Sequence, residues 1–131
     1  MSMPNTKSQK AALYEFFSSF GIPAYEETGL LKRPELPYMT YQDVTGRYWD
    51  GEIAAHAQIW YQTRGDMSGA DSIAKLISER IGTSGCIIGC DGGGILIKRS
   101  KTKAFSQKLT DKTDIDLDGR QINLLFEFLV G

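Results

Sequence analysis

Apolar residues change their spacing several times along the chain, and each change predicts an element. Leu13, Phe16, Phe17 and Phe20 recur on one helical face, so a helix is expected over residues 5–20, N-capped by Asn5 or Thr6 and stopped by Gly21-Ile22-Pro23. Residues 24–36 keep no period and read as an irregular connection, in which Leu30 and Leu31 either pack back onto the domain or form a subunit contact. Pro37-Tyr38-Met39-Thr40-Tyr41 reads as a strand and Glu52 to Tyr61 as a longer one, with a polar Gly/Asp-bearing turn between them. In the longer strand Ile53, Ala55, Ala57, Ile59 and Tyr61 share one side, and Ala54, His56, Gln58, Trp60 and Gln62 the other. The first side is expected to meet helices and the second to be partly solvated or covered by another chain.

A second helix is predicted from Ser68 as N-cap, with Asp71 three residues on, through the stripe Ala70, Ile73, Ala74, Ile77 and Ile81 to a stop at Gly82. Cys86 to Cys90 and Ile95 to Arg99, joined by Asp91-Gly92-Gly93-Gly94, read as a hairpin. Gln121 to Val130 reads as the last strand, with Ile122, Leu124, Phe126 and Phe128 alternating against Asn123, Leu125, Glu127 and Leu129. The expected fold class is α+β, a mainly antiparallel four- to five-stranded sheet packed against two helices, in a single domain over residues 1–131 with residues 1–4 as a tail.

Composition narrows the partners. A chain of 131 residues, 41% hydrophobic, suits one domain with one core. Fifteen Lys+Arg against 16 Asp+Glu give a net charge of −1, which neither draws the whole molecule to nucleic acid nor holds copies apart. No apolar run approaches the roughly 18 residues of a membrane span, and the first residues lack the apolar stretch of a signal peptide, so a cytoplasmic protein without membrane contact is expected. Cys86 and Cys90 would sit on one face of a strand about 13 Å apart, whereas a disulfide holds Cα atoms at roughly 4.4–6.8 Å, so free thiols are expected.

The candidate chemistry is sparse. Catalysis would require the single histidine, His56, to converge with Cys90 and Asp91 in one cleft. The glycines after Asp91 lead into Ile-Leu-Ile-Lys, a strand, so they read as a turn and not as a phosphate loop opening a helix. Arg64-Gly65-Asp66 reads as a strand-to-helix turn. Lys98, Arg99, Lys101, Lys103, Lys108 and Lys112 concentrate positive charge over fifteen residues, either as a contact for DNA phosphates or as a solvated strand end and loop. Asp114-Ile-Asp116-Leu-Asp118-Gly119 copies the opening of a calcium loop, but Leu125 stands where the bidentate Glu belongs and a strand follows, so a polar edge and turn is preferred and no metal is expected.

The element order, with Glu-Leu-Pro-Tyr-Met-Thr-Tyr at 35–41, Ala-Gln-Ile-Trp-Tyr at 57–61, the helix after it and Cys-Asp-Gly-Gly-Gly-Ile-Leu-Ile-Lys-Arg at 90–99, resembles small proteins of tailed-bacteriophage and prophage tail modules. The resemblance is to the tail terminator or tail-completion type, also grouped with minor capsid and head–tail joining proteins. It implies a non-enzymatic structural protein without cofactor that assembles as a ring, commonly a hexamer, at the head-proximal end of the tail tube. Its implied partners are further copies of itself and the tail-tube and head–neck proteins, with a DNA contact in the ring channel. Its implied places are the bacterial cytoplasm during assembly and the virion tail afterwards. The loop with Tyr48-Trp49-Asp50 departs from the pattern. Under this resemblance His56, Gln58 and Trp60 offer a subunit contact, while Lys98, Arg99, Lys101 and Lys103 line the channel or meet Asp114, Asp116 and Asp118 of the next copy. The alternative is a nucleic-acid-binding module using the basic 98–112 segment with Trp49 or Trp60.

Overall fold

The computed structural model describes residues 7–62, 69–110 and 117–131. Within them the order is α1 (Gln9–Ser18), β1 (Ala24–Glu26), β2 (Tyr38–Tyr41), β3 (Glu52–Gln62), α2 (Gly69–Ile81), β4 (Cys86–Cys90), β5 (Gly93–Arg99), β6 (Ser106–Thr110) and β7 (Leu117–Val130), with short 3-10 turns at Glu27–Gly29 and Tyr48–Asp50. The candidate caps Asn5, Thr6 and Ser68, the Arg64-Gly65-Asp66 turn, Lys112, Asp114 and Asp116 lie outside the described residues.

Seven strands form one sheet in the order β1-β2-β3-β7-β5-β4, with β6 also paired to β7, and the sheet curls into a half-barrel. The expected four- to five-stranded sheet is therefore wrong. Two strands escaped the sequence pattern for a physical reason. Ala24–Glu26 is too short to show alternation, and Ser-Gln-Lys-Leu-Thr of β6 carries a single apolar residue. β7 also begins earlier than expected, at Leu117, because Gly119 is a strand residue opposite Trp60 and not a turn.

β7 organises the sheet. Along one edge it pairs with β3 from Glu52–Glu127 to Gln62–Leu117. Along the other it pairs first with β5, ending at Arg99–Leu124, and then with β6, resuming at Ser106–Ile122. β5 and β6 thus run in the same direction along β7, interrupted by the excursion 100–105. At the break Ser100 N–H donates to the Asn123 carbonyl (3.1 Å), and Asn123 N–H donates to the Phe105 carbonyl (2.8 Å).

Both helices pack on one face of the sheet. Leu13, Phe16 and Phe17 from α1 and Ile73, Ile77 and Ile81 from α2 meet Ala57, Ile59, Ile122, Leu124, Phe126 and Phe128 in a single core. The Phe17 ring stacks on Tyr41 at 4.6 Å. α1 is shorter than its Phe stripe suggested. Ser8 caps it by accepting from Ala11 N–H (3.0 Å), and it stops at Ser18, with Gly21 at φ +93° beyond. α2 carries the predicted stripe and ends where predicted, with Gly82 at φ +67°. Among the described residues no helix is long and apolar enough to cross a membrane.

Candidate functional site

The face away from the helices carries the residues that the alternation of β3 singled out. His56, Gln58 and Trp60 stand opposite Asn123, Gln121 and Gly119 of β7, and Gln58 and Trp60 also oppose Thr40 and Tyr38 of β2. Trp60 lies against Gly119, where an added Cβ would come 2.6 Å from its Cε3. The amides form a chain across three strands. Gln58 Nε2 donates to Gln121 Oε1 (3.1 Å), Gln121 Nε2 to Asn123 Oδ1 (3.0 Å), and Asn123 Nδ2 to both Gln107 Oε1 (2.7 Å) and the Ala104 carbonyl (2.8 Å). Asn123 is buried, and its side chain fills the break between β5 and β6.

His56 is half-buried beside this chain. Its backbone exchanges hydrogen bonds with Gln42, and its Nε2 lies 3.4 Å from Glu27 Oε2, so a protonated ring would form an ion pair with the turn that follows β1. A shallow cavity of about 150 Å³ opens next to it, walled by Gln42, Ala54, His56, Thr102, Lys103 and Asn123. His56 and Lys103 are thus brought to one place, 47 positions apart in the chain.

The other proposed catalytic partners are elsewhere. Cys90 pairs through Gly93 with Val130 at one end of β7, whereas His56 pairs with Asn123. Seven residues of strand separate those two β7 positions, roughly 23 Å. His56, Cys90 and Asp91 therefore do not share a cleft. Cys86 and Cys90 are free thiols, and burial raises both above the usual thiol range.

Three of the five described residues of the basic segment, Lys98, Arg99 and Lys101, have partners within the fold. Lys98 Nζ sits 2.8 Å from Glu52 Oε2 and 3.4 Å from Glu127 Oε2, and Lys101 Nζ 2.9 Å from Glu52 Oε1. Hydrogen bonds from Lys98 and then Lys101 hold the Glu52 carboxyl below its ordinary range, and Glu52 in turn raises Lys98. Arg99 points to the helix side. It donates to Ser78 Oγ (2.6 Å) and to the carbonyls of Ser78 and Gly82, placing a cation at the C-terminus of α2, and it stacks over Phe105 at 4.7 Å. Lys103 and Lys108 are exposed. Asp118 belongs to β7, opposite Tyr61, and its Oδ1 accepts from Gly119 N–H.

Sequence reasoning did not find Glu27, Glu52, Gln107, Gln121 and Asn123 as partners. The available signal was the polar set on the outward side of β7, whose meaning depended on a register the sequence does not state. No family model matches the chain, and no curated protein or solved structure matches it.

Proposed function

We propose that the chain is a structural protein of the tail terminator type, assembling as a ring at the head-proximal end of a phage or prophage tail tube. The observation that carries this reading is the inequality of the two sheet faces. One is packed by both helices, while neither helix covers the one bearing His56, Gln58 and Trp60. Its half-buried, polar and aromatic character is that of a surface able to meet another protein. The sheet edges at β1 and β4 add to this, since among the described residues no further strand pairs with them. Further copies of the chain, tail-tube protein and head–neck protein are the proposed partners.

The internal pairing of Lys98, Arg99 and Lys101 shifts the weight away from the DNA-binding alternative and leaves Lys103 as the better candidate for a channel contact. A concentration series by light scattering and native mass spectrometry, followed by mixing with tail-tube protein, tests the proposal. The expected result is a discrete ring that binds the tube end. A strict monomer at the highest accessible concentration, with no affinity for tail-tube protein, overturns it.

A further inference from the structure

The cavity beside His56 is lined by groups that give hydrogen bonds, and no carboxylate is among them. Its polar lining is Gln42, His56, Ser100, Thr102, Lys103 and Asn123. Pairing within the fold decides which of these stay available to a ligand. Asn123 is used up, since its Oδ1 accepts from Gln121 and its Nδ2 donates to Gln107 and Ala104. Gln42 Oε1 accepts from His56 N–H at 2.9 Å, which orients the amide and leaves Nε2 to donate. Ser100 Oγ accepts from Thr102 and Lys103 N–H at 3.3 and 3.0 Å, which shapes the turn and leaves the hydroxyl proton to be given elsewhere. The Thr102 hydroxyl and the Lys103 ammonium have no partner among the described residues. His56 Nε2 is buried against Glu27 Oε2 at 3.4 Å, and Nδ1 is the ring nitrogen left for another partner.

The carboxylates around this face are engaged outside the cavity. Lys98 and Lys101 hold Glu52, Lys98 also holds Glu127, and Glu27 stands on the Nε2 side of His56. Donors thus come from three parts of the chain, the end of β2, β3 and the 100–105 excursion, around about 150 Å³. That volume is below the roughly 300–1,000 Å³ of sites for drug-sized ligands and suits a single small oxyanion. Donors on three sides match the three acceptor oxygens of a phosphate group better than the two of a carboxylate. With Lys103 as the one lysine or arginine of the lining, the cavity is a pocket for one such group and not a groove that tracks a strand.

We propose that this cavity binds one phosphate group, with Lys103 supplying the charge and Gln42 Nε2, the Ser100 and Thr102 hydroxyls and His56 Nδ1 the hydrogen bonds. The site does not depend on the assembly reading above.

The test is a titration of the full chain with inorganic phosphate, followed by two-dimensional NMR of the amide groups at constant ionic strength, with chloride as the control anion. Saturable shifts centred on Gln42, His56 and residues 100–103 are expected. Lys103→Met should weaken binding at least about tenfold, the loss of one charge-assisted hydrogen bond. Thr102→Val should weaken it by a smaller factor, and Lys108→Met, at an exposed lysine outside the cavity, should leave it unchanged. Circular dichroism melts establish that the variants fold. A short single-stranded oligonucleotide then separates the sources of the group. Shifts at the same residues that Lys103→Met abolishes would assign the phosphate to nucleic acid, and their absence would assign it to free or small-molecule phosphate. Chloride reproducing the phosphate shifts, or Lys103→Met and Lys108→Met losing binding equally, would overturn the site.

Discussion

Replacing Asn123 with leucine should test whether its side chain holds the junction where β5 gives way to β6. The asparagine makes three side-chain hydrogen bonds, to Ala104, Gln107 and Gln121, and leucine of similar size makes none. At about 1 kcal/mol net per bond the loss is about 3 kcal/mol. Ala104 and Gln107 lie at the surface, where water can replace part of what they lose, which sets a lower bound of about 1.5 kcal/mol. For a chain of this size each kcal/mol lowers Tm by roughly 3–5 °C, so a fall of roughly 5–15 °C is expected in a thermal melt followed by circular dichroism. Asn123→Asp sharpens the result. It keeps the size and the acceptor but sets a carboxylate against the Ala104 carbonyl, so its pKa should rise on folding. Its extra penalty is then absent below the ordinary carboxyl range, where the protonated acid can donate, and grows as pH rises through that range. A leucine variant within about 0.5 kcal/mol of wild type would refute the reasoning. The backbone pairs from Ser100 and to Phe105 would then hold the junction alone.

Gly119→Ala should cost about 1–3 kcal/mol and shift the Trp60 emission in a Trp49→Phe background, since the new Cβ must displace the ring; an unchanged spectrum and melt would contradict the contact. Glu52 has a carboxyl depressed by Lys98 and Lys101, so its contribution is present above the ordinary carboxyl range and lost as pH falls through the depressed folded value. Melts of wild type and Glu52→Gln should therefore separate at pH 7 and converge in acid, and a constant separation would count against the pairing. Cys90, 1% exposed and raised by burial, should resist thiol reagents in the native state and react on unfolding, whereas mass-spectrometric labelling of Cys90 as fast as Cys86 would show that the site opens.

What could be read from the sequence was whatever a few neighbouring residues decide. The α2 stripe, the Gly82 stop and the two unlike sides of β3 follow from periods of 3.6 and 2, and the structure keeps all three. β1 and β6 were hidden because their strand character comes from the neighbour they pair with and not from their own alternation. The same distinction governs the candidate site. Lys98, Arg99 and Lys101 read as a basic patch because their partners, Glu52, Glu127 and the end of α2, are far away in the chain and near only through the register of β3, β5 and β7. Charge that looks available along a sequence can thus be neutralised by folding. Which large side chains stay in solvent, as Tyr48 and Trp49 do, is likewise decided only by the folded chain.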